Sequence, residues 1–505
     1  MNTLTQLLST GADDAPALGA PGGVPLSYGA LRALVAATGA TLNGCGIGRN
    51  DRVALVLPNG AEMATSFIAV AACATAAPLN PAYRADEFEF YLSDLKARAL
   101  IVEQGSQSPA LQVARKLGVA VITLLSTPQH GAGTFTLDVG ALGAAPCAHP
   151  GAAQPGDVAL VLHTSGTTSR PKIVPLTQAN VCASAAHIAR STRFTAQDRG
   201  LNIMPLFHIH GLIAGILAPL SQGGSVSCTP GFNALRFFAW LDEVKPTWYT
   251  AVPTMHQAIL SRAAHNADVI ARNPLRFIRS SSSSLPPQVL AELERVFGAP
   301  VIEAYGMTEA AHQMACNPLP PAVRKPGTVG IAAGPEVAIM DEHGTLLPPG
   351  ATGEIVIRGP NVTPGYESNP KANAEAFTHG WFRTGDQGTI DADGYIAITG
   401  RLKEIINRGG EKVSPREVDE VLMDHPAVAQ VLTFALPHDK LGEEVAAAVV
   451  LREGQQASDR ELREFAAERL ADYKVPRKIV LMDEIPKGAT GKLQRIGMAS
   501  KLGLT

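Results

Sequence analysis

Apolar blocks alternate along the chain with amphipathic segments, a pattern that predicts strands and helices in turn. Residues 51–58 form an apolar run of strand length, and residues 60–74 form an Ala-rich run of helical length. Residues 86–97 carry apolar positions at helical spacing, and residues 99–102 predict the next strand. This βαβ rhythm predicts largely parallel sheets that are covered by helices.

The pattern changes further along the chain. Residues 139–156 are rich in Ala, Gly and Pro and nearly uncharged, so they predict a linker between subdomains. Between about residues 327 and 400, short strand-like runs alternate with turn signals and predict a small β-rich subdomain.

The last hundred residues predict a compact α+β unit. Capping-box spacing, Ser414 with Glu417 and Ser458 with Glu461, predicts two helices that run to about residues 425 and 470. Strands are predicted near residues 428–436 and 443–451.

Together these patterns predict an α/β protein. Its large N-terminal domain, residues 1–400, is expected to combine α/β-sandwich subdomains with the small β-rich subdomain. A hinge at residues 401–403 would lead into a mobile α+β C-terminal domain, residues 404–505.

Composition limits the classes of function. The chain has 505 residues, too many for one hydrophobic core, and a net charge of −3. This balance gives no general attraction to nucleic acid or anionic membranes. Six scattered cysteines predict reduced thiols and a cytoplasmic protein. An apolar stretch near residues 63–79 contains Pro78 and predicts a buried helix rather than a membrane span. The oligomeric state stays open.

The string TSGTTSRPK at residues 164–172 follows an apolar run. Small and hydroxyl residues let backbone N–H groups approach an anion closely, and the lysine adds a full charge. Its glycine spacing differs from that of a Walker A loop. We therefore predict a polyphosphate-binding loop that contains Thr164, Ser165, Gly166, Thr167, Thr168 and Lys172.

This loop resembles that of the adenylate-forming superfamily, which includes acyl-CoA synthetases, luciferases and peptide-synthetase adenylation domains. The family's loop usually reads TSGTTGxPK, and Ser169 stands here where glycine is usual. Further motifs follow in the family's order, so the resemblance covers essentially the whole chain. It implies ATP and Mg²⁺ as cofactors and coenzyme A as a substrate.

The resemblance assigns roles to the string AYGMTE at residues 304–309. Tyr305 would stack on adenine with Ala304 and Gly306 beside it, Thr308 would contact phosphate, and Glu309 would hold Mg²⁺. A hard cation between carboxylate and phosphate oxygens suits Mg²⁺.

The resemblance extends into the C-terminal region. Asp386 would accept both ribose hydroxyls, and Arg401 would also contact the ribose. Lys403 falls at the family's hinge. Arg408, Gly409 and Gly410 would line the pantetheine tunnel, where glycine lets backbone lie against a thin ligand.

The catalytic residues implied by the resemblance are Lys492, Lys172, Thr308 and His208. Lys492 would neutralise charge on the substrate carboxylate and the α-phosphate. His208 resembles a family position that gates the pantetheine tunnel. The acid would first form an acyl-AMP, and a thiol would then displace AMP after the C-terminal domain rotates.

The acid is predicted to be small and doubly anionic, with oxalate expected. Ser282, His208, His210 and His312 could hold a second carboxylate, with His312 one turn past Glu309 if that stretch is helical. An apolar acid would leave these groups unpaired. Strings such as MPLFHIHGL and EAYGMTEAAHQM also look like the oxalate–CoA ligase branch of the family.

Several alternatives stay open at this point. Malonate or another short- or medium-chain acid could be the substrate, and a carrier-protein thiol could replace CoA. A luciferase-like oxygenase has no positive support. A binding protein on an inactive synthetase fold is disfavoured because Lys172, Glu309, Asp386 and Lys492 are all present.

Overall fold

A computed structural model describes residues 1–140, 142–164, 171–486 and 493–504. Within these ranges the strands form four sheets, here called the N-terminal, large, small and C-terminal sheets. The predicted α/β fold with a β-rich subdomain and an α+β C-terminal unit is confirmed.

The N-terminal sheet confirms the predicted βαβ rhythm. Its inner strands are parallel, and an antiparallel strand lies at each edge. In spatial order its strands are Phe135–Asp138, Ala120–Ser126, Ala99–Glu103, Arg52–Val56, Thr75–Pro78, Val158–His163 and Ile173–Thr177.

The large sheet has a parallel centre, with antiparallel strands towards both edges. The carboxyl ends of its parallel strands lie at one edge, where ligands bind in open α/β sheets. In spatial order its strands are Ile331–Ala332, His312–Cys316, Val301–Met307, Phe277–Ser281, Trp248–Ala251, Arg199–Asn202, Ser225–Cys228, Pro16–Gly19 and Leu26–Ser27.

One core joins these two sheets through helices that are apolar on most sides. Residues 63–71 and 210–217 are buried throughout their length, as a helix packed between layers requires. The α-helices are Leu4–Leu8, Tyr28–Gly44, Ala61–Ala71, Ala85–Leu95, Ala110–Leu117, Gln178–Thr192, Ala218–Leu220, Phe237–Val244, Pro253–Ala263, Ala267–Arg272, Pro287–Phe297, Pro370–Ala376, Pro415–Met423, Asp459–Ala467 and Met498–Lys501, and His210–Leu217 is a π-helix. Among the described helices, none is long and apolar enough to cross a membrane.

The small and C-terminal sheets follow in sequence. The small sheet contains Glu336–Met340, Gly353–Arg358, Trp381–Ile390, Phe377–Thr378 and Ile396–Arg401. The C-terminal sheet contains Glu411–Val413, Ile406–Arg408, Gly442–Leu451, Val428–His438 and Lys478–Leu481. The chain leaves the small sheet after Arg401 and enters the C-terminal sheet at Ile406, next to the predicted hinge.

The C-terminal unit packs against the rest of the chain through polar contacts. Arg416 Nη1 donates to the Ile398 carbonyl oxygen at 2.7 Å, and Gln257 Nε2 donates to the Ala429 carbonyl oxygen at 3.2 Å. Interfaces of this polar kind suit units that move relative to one another.

Two local predictions were wrong. Residues 139–156 do not separate subdomains, because the strands before and after them, Phe135–Asp138 and Val158–His163, belong to the same sheet. Ser414 precedes a helix as predicted but forms no capping box, since its hydroxyl donates to the Thr399 carbonyl oxygen instead. Ser458 does cap its helix, accepting from the Glu461 N–H at 3.1 Å.

Candidate active site

Adjacent antiparallel strands of the small sheet bring together two predicted ribose-binding residues. Asp386 and Arg401 are register partners, and Arg401 Nε donates to Asp386 Oδ1 at 2.9 Å. The Tyr305 hydroxyl donates to the other oxygen of Asp386. Burial, and next the nearby Asp386 charge, raise the pKa of Tyr305 well above its usual value. The phenol is therefore a permanent donor that orients the carboxylate.

A second cluster connects the phosphate loop with the predicted metal ligand. The Tyr366 hydroxyl donates to Glu309 Oε1 at 2.7 Å, and Lys172 Nζ lies 4.3 Å from the centre of the Tyr366 ring. The Lys172 N–H donates to Thr164 Oγ1 at 3.1 Å, which holds the two ends of the loop together. Tyr366 thus joins the expected phosphate-binding cation to the expected metal-binding carboxylate.

The chain around Glu309 is not a regular helix. Val301–Met307 is a strand, Thr308–Ala310 is a single 3-10 turn, and His312–Cys316 is the next strand. His312 therefore does not lie one helical turn past Glu309. Its side chain nevertheless contacts the predicted acyl-binding residue His210. The strands Val301–Met307 and His312–Cys316 approach each other closely at Gly306, where a Cβ would lie 1.8 Å from the His312 carbonyl oxygen. Only glycine allows the two strands to pair this closely.

The predicted acyl-binding residues meet at the carboxyl end of the large sheet. His210 Nδ1 lies 3.0 Å from Ser282 Oγ, and His210 Nε2 lies 2.6 Å from Thr250 Oγ1. The His312 ring stacks on the His210 ring, with 4.8 Å between centroids and an interplanar angle of 18°. Three of the four predicted residues thus form one polar cluster.

Arg279 lies beneath this cluster. Its Nη1 contacts His210 Nε2 at 3.3 Å, and its Nη2 contacts His312 Nε2 at 3.1 Å and Gln313 Oε1 at 3.1 Å. Burial lowers the pKa of the guanidinium to about 10, which leaves it charged at neutral pH.

The backbone of the cluster is strained at three positions. Ser282 has φ 75°, Ala311 has φ 48° and His312 has φ 101°, in the left-handed region that residues with side chains seldom adopt. Strain of this kind persists only where surrounding structure enforces it, and it concentrates at binding sites.

Some predicted residues lie apart from these clusters or outside the described residues. His208 is half-buried and lies two residues before the start of the π-helix His210–Leu217. Its Nδ1 accepts from the His210 N–H at 3.3 Å. Lys403 is exposed in a turn, and Arg408 pairs with Glu444 at 2.5 Å beside Gly409 and Gly410. Ala304 is buried and Thr308 half-buried on the segment of Tyr305. Ser165, Gly166, Thr167, Thr168 and Lys492 lie outside the described residues.

Sequence reasoning missed Tyr366, Arg279, Thr250 and Gln313. The sequence does contain a signal for Arg279, because a charged residue within a strand-like segment, here FIRSS at residues 277–281, needs a partner or a function if the strand is buried. For the other three the contacts depend on sheet register, which no local pattern reveals.

Chemically, the arrangement combines a donor-rich polar cluster with a separate set of charged and polar groups. Glu309 provides hard oxygen atoms, Lys172 and Arg401 provide positive charge, and Asp386 provides acceptors for a diol. The acyl cluster provides neutral and cationic donors in a water-poor setting, where hydrogen bonds discriminate strongly.

Comparisons with known proteins identify the class. Residues 9–367 match the AMP-binding enzyme family, and residues 417–492 match the AMP-binding enzyme C-terminal domain. The chain therefore belongs to the AMP-binding enzyme family. The two matches leave residues 368–416, which include the predicted hinge, between them.

The similar proteins include two acid–CoA ligases and a protein whose structure contains bound ATP. The oxalate–CoA ligase of Arabidopsis thaliana is 45% identical over 503 residues, 98% of this chain and 97% of that protein. The sulfoacetate–CoA ligase of Cupriavidus necator is 36% identical over 98% and 97% of the two chains. The crystal structure of ATP-bound MatB from Rhodopseudomonas palustris superposes with a TM-score of 0.88 at 28% identity, covering 99% of each chain.

Proposed function

We propose that the protein is an ATP-dependent oxalate–CoA ligase that acts through an oxalyl-adenylate. The observation that carries the choice of acid is the buried cluster of His210, Ser282 and His312 above the Arg279 guanidinium. An aliphatic acyl chain in this position would leave the buried Arg279 charge without a carboxylate among the described residues. A short acid with a second carboxylate supplies the negative charge.

The similar proteins support the same choice. The Arabidopsis thaliana relative is an oxalate–CoA ligase, and the Cupriavidus necator relative acts on sulfoacetate. Oxalate and sulfoacetate share a second acidic group on a two-carbon skeleton. This shared chemistry favours a doubly anionic substrate over acetate or a fatty acid.

In the first step, one oxalate oxygen attacks the α-phosphorus of ATP, and pyrophosphate leaves with the electrons of the broken P–O bond. Lys172, Thr308 and Lys492 lower the barrier by neutralising charge that develops on the phosphates. Asp386 and Arg401 fix the ribose, and Tyr305 stacks on the adenine. Catalysis is then mainly positioning and electrostatics.

Glu309 is proposed as the protein ligand of Mg²⁺. Its oxygen chemistry fits a hard cation shared with phosphate oxygens, and Tyr366 orients one carboxylate oxygen at 2.7 Å. When bound, the ion would neutralise charge on the β- and γ-phosphates.

In the second step, the CoA thiol attacks the oxalyl carbonyl, and AMP leaves. We propose that the C-terminal domain, residues 404–505, rotates about residues 401–403 between the two steps. Leu402 N–H donates to the Gly385 carbonyl oxygen at 2.9 Å, whereas Glu404 pairs with Arg495 at 3.3 Å. Lys403 therefore separates a residue tied to the small sheet from one tied to the C-terminal unit.

Rotation would exchange the groups that face the adenylate. Arg495 also pairs with Asp419 at 2.6 Å, which anchors the segment after Lys492 to the C-terminal unit. Lys492 would leave the site with that unit, while Arg408, Gly409 and Gly410 would line the pantetheine tunnel. His208 would gate the tunnel from the N-terminal side. We also propose a cytoplasmic location, since all six cysteines are free thiols.

Initial rates with a panel of acids test this proposal. Oxalate, malonate, acetate and octanoate are each supplied with ATP, Mg²⁺ and CoA, and AMP formation is measured. We expect oxalate to give the highest kcat/KM, by about 10⁴-fold over octanoate, because its second carboxylate balances the buried Arg279 charge. Malonate in first place would keep the enzyme class and change the acid. Acetate or octanoate in first place would refute the acyl-pocket assignment.

A further inference from the structure

The acyl pocket contains a buried positive charge that has no carboxylate partner among the described residues. Arg279 is 1% exposed. Over the described ranges of the chain, no carboxylate forms an ion pair with it, and its Nε has no hydrogen-bond partner. Buried guanidinium groups are normally paired, because a charge removed from water needs compensation. The pocket therefore carries a positive charge that no carboxylate in the described part of the chain compensates.

The contacts of Arg279 determine where the neighbouring histidines hold their protons. A guanidinium group donates hydrogen bonds and cannot accept them. Arg279 Nη1 therefore donates to His210 Nε2 at 3.3 Å, and Nη2 donates to His312 Nε2 at 3.1 Å. Because each Nε2 accepts, each ring is neutral and carries its proton on Nδ1. Gln313 Oε1 accepts from the same Nη2 at 3.1 Å and fixes the guanidinium plane.

The remaining contacts of His210 agree with this tautomer. The Thr250 hydroxyl can donate or accept, and in this tautomer it donates to Nε2 at 2.6 Å. The Nδ1–H group then donates to Ser282 Oγ at 3.0 Å. Because the Ser282 oxygen accepts this bond, its own proton can be donated to a ligand. The chain of donors thus runs from Arg279 through His210 to Ser282.

The stacked rings also favour neutral imidazoles. The His210 and His312 centroids are 4.8 Å apart, and the rings are within 18° of parallel. Two protonated rings at this distance would repel each other and Arg279 in a medium of low dielectric constant. The positive charge of the pocket therefore resides on Arg279.

We infer that Arg279 is the positioning and specificity-determining residue of the acyl pocket. It holds His210 and His312 as neutral Nδ1–H donors, and it supplies the charge that the second carboxylate of the acid balances. This inference rests on the proposed function, since it assumes a substrate with two carboxylates. Arg279 itself is not expected to contact the reacting carboxylate or ATP.

Kinetics of two substitutions test the role. Arg279→Met removes the charge at similar volume, and we expect kcat/KM for oxalate to fall about 100-fold, chiefly through KM, while kcat/KM for acetate changes little. Arg279→Lys keeps the charge but cannot donate to both rings from a planar fork, so a loss of about tenfold is expected. If the loss of preference for oxalate over acetate is smaller in Arg279→Lys than in Arg279→Met, the charge of the side chain, and not its packing, determines the preference.

Arg276→Met is the matched control. Arg276 lies three residues earlier, pairs with Asp198 at 2.9 Å and donates to the Thr192 carbonyl oxygen, away from the histidines. We expect it to affect both acids equally. Equal losses for oxalate and acetate in Arg279→Met would overturn the inference. A wild-type enzyme that does not prefer oxalate would instead refute the proposed function.

A measurement on the wild-type protein tests the same inference even if the Arg279 variants do not fold. Side-chain ¹⁵N resonances of labelled histidine distinguish the Nδ1–H tautomer, the Nε2–H tautomer and the imidazolium ion. His210→Gln and His312→Gln assign the two signals. We expect both rings to be neutral with the proton on Nδ1 at pH 7. An Nε2–H tautomer or an imidazolium ion at either ring would overturn the inference.

Discussion

The nucleotide region and the acyl pocket meet at the strand Val301–Met307, but they are built differently. This strand contains Tyr305, and it pairs with the strand of Arg279 on one side and with the strand of His312 on the other. In the nucleotide region, Asp386 and Arg401 face each other across neighbouring strands. In the acyl pocket, the polar side chains come from separate segments that meet where strands end: His210, Thr250, Arg279, Ser282 and His312. A reaction common to a family can be encoded in short strings, whereas the choice of acid is distributed over the sheet.

The two regions also treat charge differently. In the nucleotide region, the Asp386 carboxylate is balanced by Arg401 within the protein. In the acyl pocket, the Arg279 charge has no carboxylate partner among the described residues. A region whose charges are paired within the protein does not depend on the charge of the acid. A region with an uncompensated positive charge needs a negative charge from its ligand. Substitutions in the nucleotide region should therefore change the kinetics of all acids equally. The effects of substitutions in the acyl pocket should differ from one acid to another.

The largest effect is expected from Lys492→Ala. Loss of a full charge that stabilises the adenylation transition state should lower the rate of acyl-AMP formation by about 10²–10³-fold for every acid. Thioester formation from supplied acyl-AMP should change far less, because Lys492 is expected at the site in the first step alone. Pyrophosphate release and thioester formation are measured separately. Equal losses in the two half-reactions would contradict the two-state arrangement.

Lys403→Pro is the counterpart in the proposed hinge. Proline fixes φ and should prevent the change of backbone conformation that rotation needs. Acyl-AMP formation should survive, whereas transfer to CoA should fail. Lys403→Ala is the control, since it removes the exposed side chain and leaves the backbone free to rotate. Full overall turnover by the proline variant would show that residue 403 is not the hinge.

The next effect is specific to the acid. His312→Ala removes a donor that is buried beside His210, so kcat/KM for oxalate should fall about 10- to 100-fold, because a carboxylate oxygen loses its partner. Acetate, which has no second carboxylate, should be affected much less. His425→Ala is the control, since His425 is also buried but packs against Phe465 in the C-terminal unit, away from the cluster. Unchanged oxalate kinetics in His312→Ala would refute the pocket assignment.

The contrast between the two regions also explains what the sequence could and could not predict. The βαβ rhythm and the helix after Ser458 follow from local periodicity and capping, and they are confirmed. Residues 139–156 were misread, because composition marks a loop but does not tell which sheet the flanking strands join. Arg279 was missed for a related reason: its partners lie 69 and 33 residues away and become neighbours through strand pairing.

A smaller effect, equal for all acids, is expected from Asp386→Asn. The amide keeps an acceptor for the Tyr305 hydroxyl but loses the charge that Arg401 and the ribose hydroxyls contact. We expect KM for ATP to rise about tenfold, the scale of one hydrogen bond to a charged group. The rise should be the same with oxalate and with malonate. A rise that depends on the acid would show that the two regions are coupled.

The shared strand itself contains a buried carboxyl group. Glu303 is 1% exposed, its Oε1 accepts from the Leu285 N–H at 3.0 Å, and its Oε2 has no partner among the described residues. Burial raises its pKa to about 7, against a lowering influence of Arg416. Because this pKa exceeds the usual glutamate value of 4.5, the folded state binds more protons than the unfolded state between these pH values. The Glu303 contribution to stability is therefore complete below about pH 4.5 and is lost as the pH rises through about 7.

Glu303→Gln should consequently stabilise the protein at pH 8 and have little effect at pH 5. The amide keeps the acceptor for the Leu285 N–H and removes the buried charge, which corresponds to up to about 3 kcal/mol at pH 8. Unfolding free energies of wild type and variant are measured at both pH values. Glu464→Gln, in an exposed pair with Arg460, should show no such pH dependence. Since Glu303 reaches neither ligand region, KM for ATP and for oxalate should stay unchanged. A stability difference that is the same at pH 5 and pH 8 would mean that Glu303 is not protonated in the folded protein.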